Sequence, residues 1–414
     1  MEGCRLTICQ LLKKQLHTRK TRLKRTNIQT TAKQMNFTKK TTPQGRNILT
    51  HQKVIRLISV GLTVILALFL FTDMHTMQAK TKSRTRENGY LVVTKHIKND
   101  GKTDVADAIQ ELIDQNPNRT IFFPDGTYCV SKPILTPADP KKSVSLILAD
   151  FACIRAIGEW PENEAVIKLG GKDPFNTIYV PGSNYGLRGG IIDANGLANG
   201  ISIDSGRETR VSGVSIKRAK VGLHIKHGAN SGSSDADVVD VNITGNGTEE
   251  SVGVLLEGYD NTLTNMRIAD VNIGVWLKSA GNSLSNIHPL YIFRDTQKYE
   301  TSCGFKNEQG SNWFHYCYSD QMATGFRLGK GARVHLTDCF CFWYNGARCP
   351  FQTAIECDGT FEGKALGLQA DFHGDCKTVS LLRGEPGGKG KLIYPNLSNR
   401  QMAEGDVSKG YIVE

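Results

Sequence analysis

The chain has 414 residues, 39% of them hydrophobic and 22% charged, which excludes a compositionally disordered chain and suffices for one extended domain or two ordinary ones. The formal charge of +11 is local: residues 1–56 hold 14 Lys and Arg against one acid, Glu2, so the remaining 358 residues carry −2. A charge confined to one tail gives the folded part no case for nucleic-acid binding.

That tail, residues 1–53, reads as disordered. Behind it, Leu57 to Phe71 form 15 apolar or small residues flanked by Arg56 and Asp73. A spanning helix needs about 20 apolar residues and a signal-peptide core about 7–15, so residues 54–79 are expected to direct export. Met77 stands where a small residue is expected ahead of Ala79, which leaves an uncleaved anchor open, and with it membrane contact through residues 54–72. Met35 offers a second start with a shorter basic lead-in. Either way, the positive-inside rule places residues 80–414 outside the cytoplasm: secreted, periplasmic or on the cell surface.

Export permits disulfides, and nine Cys follow the apolar segment, so at least one is unpaired within the chain. Cys339, Cys341 and Cys349 are close enough for one local bridge, while the others read as small buried hydrophobes. No Cys or His spacing reads as a metal site. Phosphate-loop, dinucleotide, nucleophile-elbow and zincin motifs are missing, so no cofactor is expected.

Residues 80–100 are polar and aperiodic, as in a linker, and a single domain is expected over 101–414. Val105, Ala108, Ile109, Leu112 and Ile113 follow helical spacing, with Thr103 or Asp104 as cap and Pro117 as stop, which predicts one short amphipathic helix. "TIFFPDG" and "TYCVSKPI" predict two strands around a Pro-Asp-Gly turn.

A repeat then begins. Short units starting with Gly and an apolar residue recur at Gly200, Gly222, Gly253, Gly274, Gly304 and Gly325, with an Ala-Ile counterpart at Ala354. Their spacings of 22, 31, 21, 30, 21 and 29 give a base period of 21–22 with insertions, the signature of a solenoid. Period-2 alternation, β-branched residues and Gly/Asn turns exclude helical repeats. Asn261, Asn282 and Asn312 each sit eight residues after their unit's Gly, so stacked coils would bring their amides into a hydrogen-bonded ladder.

With "NDGKTDVADAIQELIDQ" leading into "RTIFFPDGTYCVSKPI", "GGIIDANG" at Gly189 to Gly196, and these repeats, the chain resembles the pectate-lyase-like superfamily over about residues 90–414. The resembling group is the one shared by rhamnogalacturonase, epimerase and phage-tailspike domains. The resemblance implies an all-β, single-stranded right-handed parallel β-helix with an N-terminal capping α-helix. It also implies a polysaccharide or oligosaccharide partner. The Asn-Thr-Asp, Asp-Asp, Gly-His-Gly and Arg-Ile-Lys strings associated with catalysis in the polygalacturonase branch do not occur here, so no catalytic residue is carried over. Asp193 in "GGIIDANG" reads as a turn former.

Alternation supplies candidates instead. If Ile201, Leu223, Val254, Val275, Phe305, Phe326 and Ile355 point inward, one outward column reads Ser202, His224, Leu255, Trp276, Lys306, Arg327, Glu356. A second reads Asp204, Lys226, Glu257, Lys278, Glu308, Gly329, Asp358. Such a strip is either a solvated sheet face or a glycan groove with Trp276 as a sugar platform and the insertion 288–303 as a wall. Hydrolysis needs two carboxylates, and Glu257 and Glu308 stand two rungs apart, about 9.6 Å, with Asp295, Glu300 and Asp320 as loop or turn alternatives that could lean over the strip. The expected substrate contacts are Asp204, His224, Lys226, Trp276, Lys278, Lys306 and Arg327. Lysines and arginines equally suit a lyase or epimerase on an acidic glycan. A non-catalytic carbohydrate-binding or tailspike-like protein, forming a homotrimer, is the reading from another class. Asp235, Asp237 and Asp240 form an acidic run that reads as solvated loop or as a Ca²⁺ site.

Overall fold

The computed structural model describes residues 89–93, 97–177, 186–373, 376, 378–385 and 388–398, and the backbone of 412–413. The basic tail and the export signal expected at 54–79 lie outside them. Among the described residues no helix is long and apolar enough to cross a membrane.

Each coil carries three strands and two sharp bends. Arg210–Ser212, Ser215–Ala219 and Val221–Ile225 make one coil; Asp237–Val239, Asn242–Gly245 and Val252–Leu256 make the next. Each strand pairs in parallel with its counterpart one coil on. The result is a parallel β-helix with three faces, called one, two and three in the order the chain visits them. A return to a parallel neighbour is almost always right-handed. Face three is a ten-stranded ladder from Ile134–Pro137 to Thr378–Glu385.

The core follows the alternation. Ile201, Leu223, Val254, Val275, Phe305, Phe326 and Ile355 pair in unbroken register along face three, and all are buried. Phe305 and Phe326 stack with centroids 4.9 Å apart. The Gly opening each unit is required by close approach. A Cβ on Gly274 would lie 2.4 Å from both the Gly304 carbonyl oxygen and Pro289 Cβ of face two. Gly200, Gly222 and Gly253 meet the next coil's carbonyl and an Ile of face two in the same way.

The turn from face three to face one carries the asparagine ladder. Asn261 Nδ2 donates to Asn282 Oδ1 at 2.9 Å, and Asn282 Nδ2 donates to Asn312 Oδ1 at 3.0 Å. The bend between faces one and two is a single residue in the left-handed region, for example Asp240, Asn265, Asn286, Tyr316 and Asp338. Because Asp, Asn and Tyr can each fill it, alternation alone does not reveal it.

The helix α1 (Ala106–Gln115) closes the N-terminal end. It buries Ala106, Ile109 and Ile113, while Ala108, expected inward, faces solvent. Asp104 Oδ1 accepts from Ala106 N at 3.0 Å, satisfying one amide of the first turn. The Gln110 side chain both donates to Leu135 O and accepts from Leu135 N, sealing the edge of the first face-three strand. Part of the stretch expected as a linker already belongs to the solenoid: Leu91–Val92 pairs with Ile121–Phe122, and Asp100 with Thr127. A three-residue apolar run is too short to show a period. All nine described cysteines are free thiols, so the local bridge expected among Cys339, Cys341 and Cys349 does not form. Each of these three packs inward as a small hydrophobe at 0% exposure.

Candidate functional site

The outward side of face three is a continuous polar strip, and both expected columns are present. The register aligns Ser202, His224, Leu255, Trp276, Lys306, Arg327 and Glu356. The backbone bonds that follow each strand align Asp204, Lys226, Glu257, Lys278, Glu308 and Gly329. Asp358 drops out, because the pairing shifts after Glu356.

Glu257 is the centre of the strip. Its Oε2 lies 2.8 Å from His224 Nε2 on the preceding rung, and its Oε1 lies 3.5 Å from Lys278 Nζ on the next. The hydrogen bond from His224, helped by the Lys278 charge, holds the carboxyl below its ordinary range despite partial burial. Glu257 is therefore ionised at neutral pH. Glu308 occupies the same column two rungs on, with Lys306 Nζ at 3.0 Å. From the rung spacing the two carboxylates stand about 9.6 Å apart, at the wide end for an inverting pair.

Three expected residues take other roles. Asp204 is only 3% exposed and lies beneath Lys226 at 3.1 Å and Lys168 at 3.3 Å, so it anchors those lysines and does not reach a substrate. Trp276 is half-buried, not an open platform: Lys306 Nζ sits 3.8 Å and Lys278 Nζ 4.6 Å from its ring centroid. Lysine stems cover apolar surface readily, and an ammonium over an indole face is itself attractive. Asp320 belongs to another face, pairing with Leu290 and Phe342, and lies 3.2 Å from His288 Nε2. The bend after Asp320 turns the chain away before face three resumes at Thr324.

Arg327 donates to Glu356 at 2.7 Å and to Thr301 O at 3.4 Å. Burial raises the Glu356 carboxyl, but the Arg327 hydrogen bond and charge outweigh it and leave it below its ordinary range. Through Thr301 the insertion 288–303 borders the strip, and Tyr299 pins it by donating to Phe351 O at 2.7 Å. Sequence reasoning missed Lys168 and Arg383, which extend the strip at both ends: Lys168 aligns with Ser202, and Arg383 with Glu356 at 3.6 Å. Their units carry Val166 and Leu381 where the others carry Gly or, at position 354, Ala, so a search for Gly-apolar starts passes over them. The longer column of outward charges was the available signal.

Asp193 is buried between Arg155 at 3.0 Å and Arg218, and accepts from Asn195 N, as a turn residue does. Asp235 and Asp237 pair with Arg207 and Arg210, and Asp240 accepts from Asn265, so each acid of that run has its own partner. Among the described residues no group of three or more His, Cys, Asp or Glu is arranged to hold a metal ion.

The model of the family described as rhamnogalacturonase A/epimerase, pectate lyase-like, matches residues 91–327. A curated relative, Polygalacturonase QRT3 of Arabidopsis thaliana, is 23% identical over 239 residues, 48% of this chain and 45% of that protein. The chain thus spans less than half the length of that relative. Among solved structures, the bacteriophage Phi29 gene product 12 N-terminal fragment is similar at a TM-score of 0.50 and 13% identity, covering 80% of this chain and 65% of that one. The Acinetobacter phage vb_AbaP_AS12 gp42 tailspike matches at a TM-score of 0.50 and 9% identity, covering 76% and 57%. At these identities the two structures speak to the fold.

Proposed function

We propose that this chain, which belongs to the pectate lyase-like rhamnogalacturonase A/epimerase family, hydrolyses a polysaccharide lying along the strip of face three. The observation that carries the reading is the shared column of Glu257 and Glu308, two rungs apart on a rigid ladder. Glu257, held ionised by His224, acts as the base that takes a proton from the attacking water. Glu308 protonates the leaving oxygen, with the water fitting between the two carboxyls. Lys226, Lys278, Lys306 and Arg327 hold sugar oxygens, and His224 positions the base.

The pair of ammonium groups over Trp276 favours a second reading, elimination from an acidic glycan. Lys306 would neutralise a uronate carboxylate, and Lys278, after giving up its own ammonium proton, would take the C5 proton as the glycosidic oxygen leaves from C4. We place either reaction outside the cytoplasm, supported by the apolar run Leu57–Phe71 behind the basic tail. Mass spectrometry of products from a panel of neutral and acidic polysaccharides tests the reaction. Products carrying one added water are expected; unsaturated products lighter by one water would replace hydrolysis with elimination. Binding without any product would leave a carbohydrate-binding protein.

A further inference from the structure

The spacing of 31 between Gly222 and Gly253 contains an insertion that the strip does not use. Its residues fold back at once: His227 bridges Gly232 antiparallel, and Gly228 N donates to Ser231 O at 2.8 Å. Gly232–Ser234 then pairs in parallel with Ser205–Arg207. Asn176 bridges Gly232 on one side, and Tyr259 bridges Ser234 on the other. Consecutive coils thus build a small lateral sheet beside the end of face three. It frames a recess of about 620 Å³ lined by Asn176, Arg207, His227, Asp235, Tyr259 and Asp260. That volume falls within the range of about 300–1,000 Å³ typical of small-ligand sites.

The lining is fixed in place and selective. Arg207 Nε donates to Asp235 Oδ2 at 2.7 Å and Ser234 Oγ to the same oxygen at 3.0 Å, which leaves Oδ1 to accept from a ligand. The His227 ring stands edge-on to Tyr259, with centroids 5.1 Å apart and planes at 89°. His227 Nδ1 is buried without a hydrogen-bond partner. An orphaned buried polar atom of that kind destabilises the fold unless a partner arrives. His227 and Tyr259 both line the recess, so a sugar entering it meets the two rings side by side. Two carboxylates face one guanidinium, so the recess carries net negative charge, accepts from vicinal hydroxyls and repels a carboxylate. It adjoins the strip in sequence: Asp204, Lys226 and Glu257 stand three, one and two residues before Arg207, His227 and Tyr259 in three successive coils.

We propose that this recess binds an uncharged sugar unit, discriminating against uronates. The neighbouring or branching position of that unit in a longer glycan rests on the reading of the strip given above. The test is saturation-transfer NMR on the full chain with methyl glycosides of galactose, glucose, mannose, rhamnose and N-acetylglucosamine, and with galacturonate. At least one neutral glycoside is expected to bind to wild type and to Glu257→Gln, and at least tenfold more weakly to His227→Ala and Asp260→Asn. Asp260 is exposed, so its substitution keeps the test valid if His227→Ala unfolds. Absence of neutral-sugar binding, binding unchanged in Asp260→Asn, or galacturonate binding equally well through these residues would overturn the proposal. Polymer cleavage without neutral-sugar binding would remove the recess and keep the strip as the reaction site. Neutral-sugar binding without cleavage of any polymer would do the reverse.

Discussion

Replacing Asn282 with Ala removes the middle of the asparagine ladder, and the structure allows the cost to be worked bond by bond. Its Oδ1 accepts from Asn261 N at 3.1 Å and Asn261 Nδ2 at 2.9 Å. Its Nδ2 donates to Asn312 Oδ1 and to Ser279 Oγ, both at 3.0 Å. Asn261, Asn282 and Asn312 are all 0% exposed, so water cannot replace the lost partners. Asn261 Nδ2 keeps its bond to Gly258 O, and Asn312 Oδ1 keeps the one from Asn282 N. The outright orphan is the backbone N–H of Asn261. One orphaned buried donor costs about 1–3 kcal/mol and each of three further lost bonds about 0.5–1.5, so the expected loss is about 2.5–7.5 kcal/mol. Urea unfolding followed by circular dichroism reads it, with the exposed loop residue Asn230→Ala as a control expected within about 0.5 kcal/mol of wild type. A loss below about 1 kcal/mol for Asn282→Ala would refute the argument that the stacked amides hold the turns.

Further outcomes follow from the same geometry. Gly274→Ala forces a methyl against Gly304 O and Pro289, and should cost about 1–3 kcal/mol by overpacking, read as a lower urea midpoint. Glu257, lying below its ordinary carboxyl value of 4.5, stabilises the fold fully above that value; the contribution disappears as pH falls through the lower folded value. His224→Ala removes the main cause of that lowering, so the acid limb of the kcat/KM profile should move to higher pH; an unmoved limb would mean that Glu257 is not the base. The roughly two-rung separation of the carboxylates predicts inversion at the anomeric carbon, which proton NMR of the first-formed product detects; retention would require carboxyls about 5–5.5 Å apart.

How far the site was legible varies from residue to residue for physical reasons. The period and alternation were enough to align Ile201 through Ile355 and the two outward columns, because register in a solenoid follows from one inward residue per strand. Alternation states which way a side chain leaves the sheet, but not what lies above it. Asp204 points outward and is nevertheless covered, since Lys168 and Lys226 converge on it from both neighbouring rungs. Trp276 points outward beneath two lysine stems. Asp320 was expected in a loop leaning over the strip, yet it ends a strand of another face and one bend separates the two. The recess around His227 and Tyr259 was not legible at all, because it is made where an insertion meets turns from other coils.

The assignment of the reaction to Glu257 and Glu308 is tested most directly by measuring turnover of a cleaved polysaccharide by the Glu257→Gln, Glu308→Gln double variant, alongside its binding to the same polymer. The pair predicts that cleavage falls by at least the roughly 10²–10⁴-fold expected for one lost acid or base, while binding stays within a fewfold of wild type. Turnover at the wild-type rate in a folded, binding-competent double variant would contradict it.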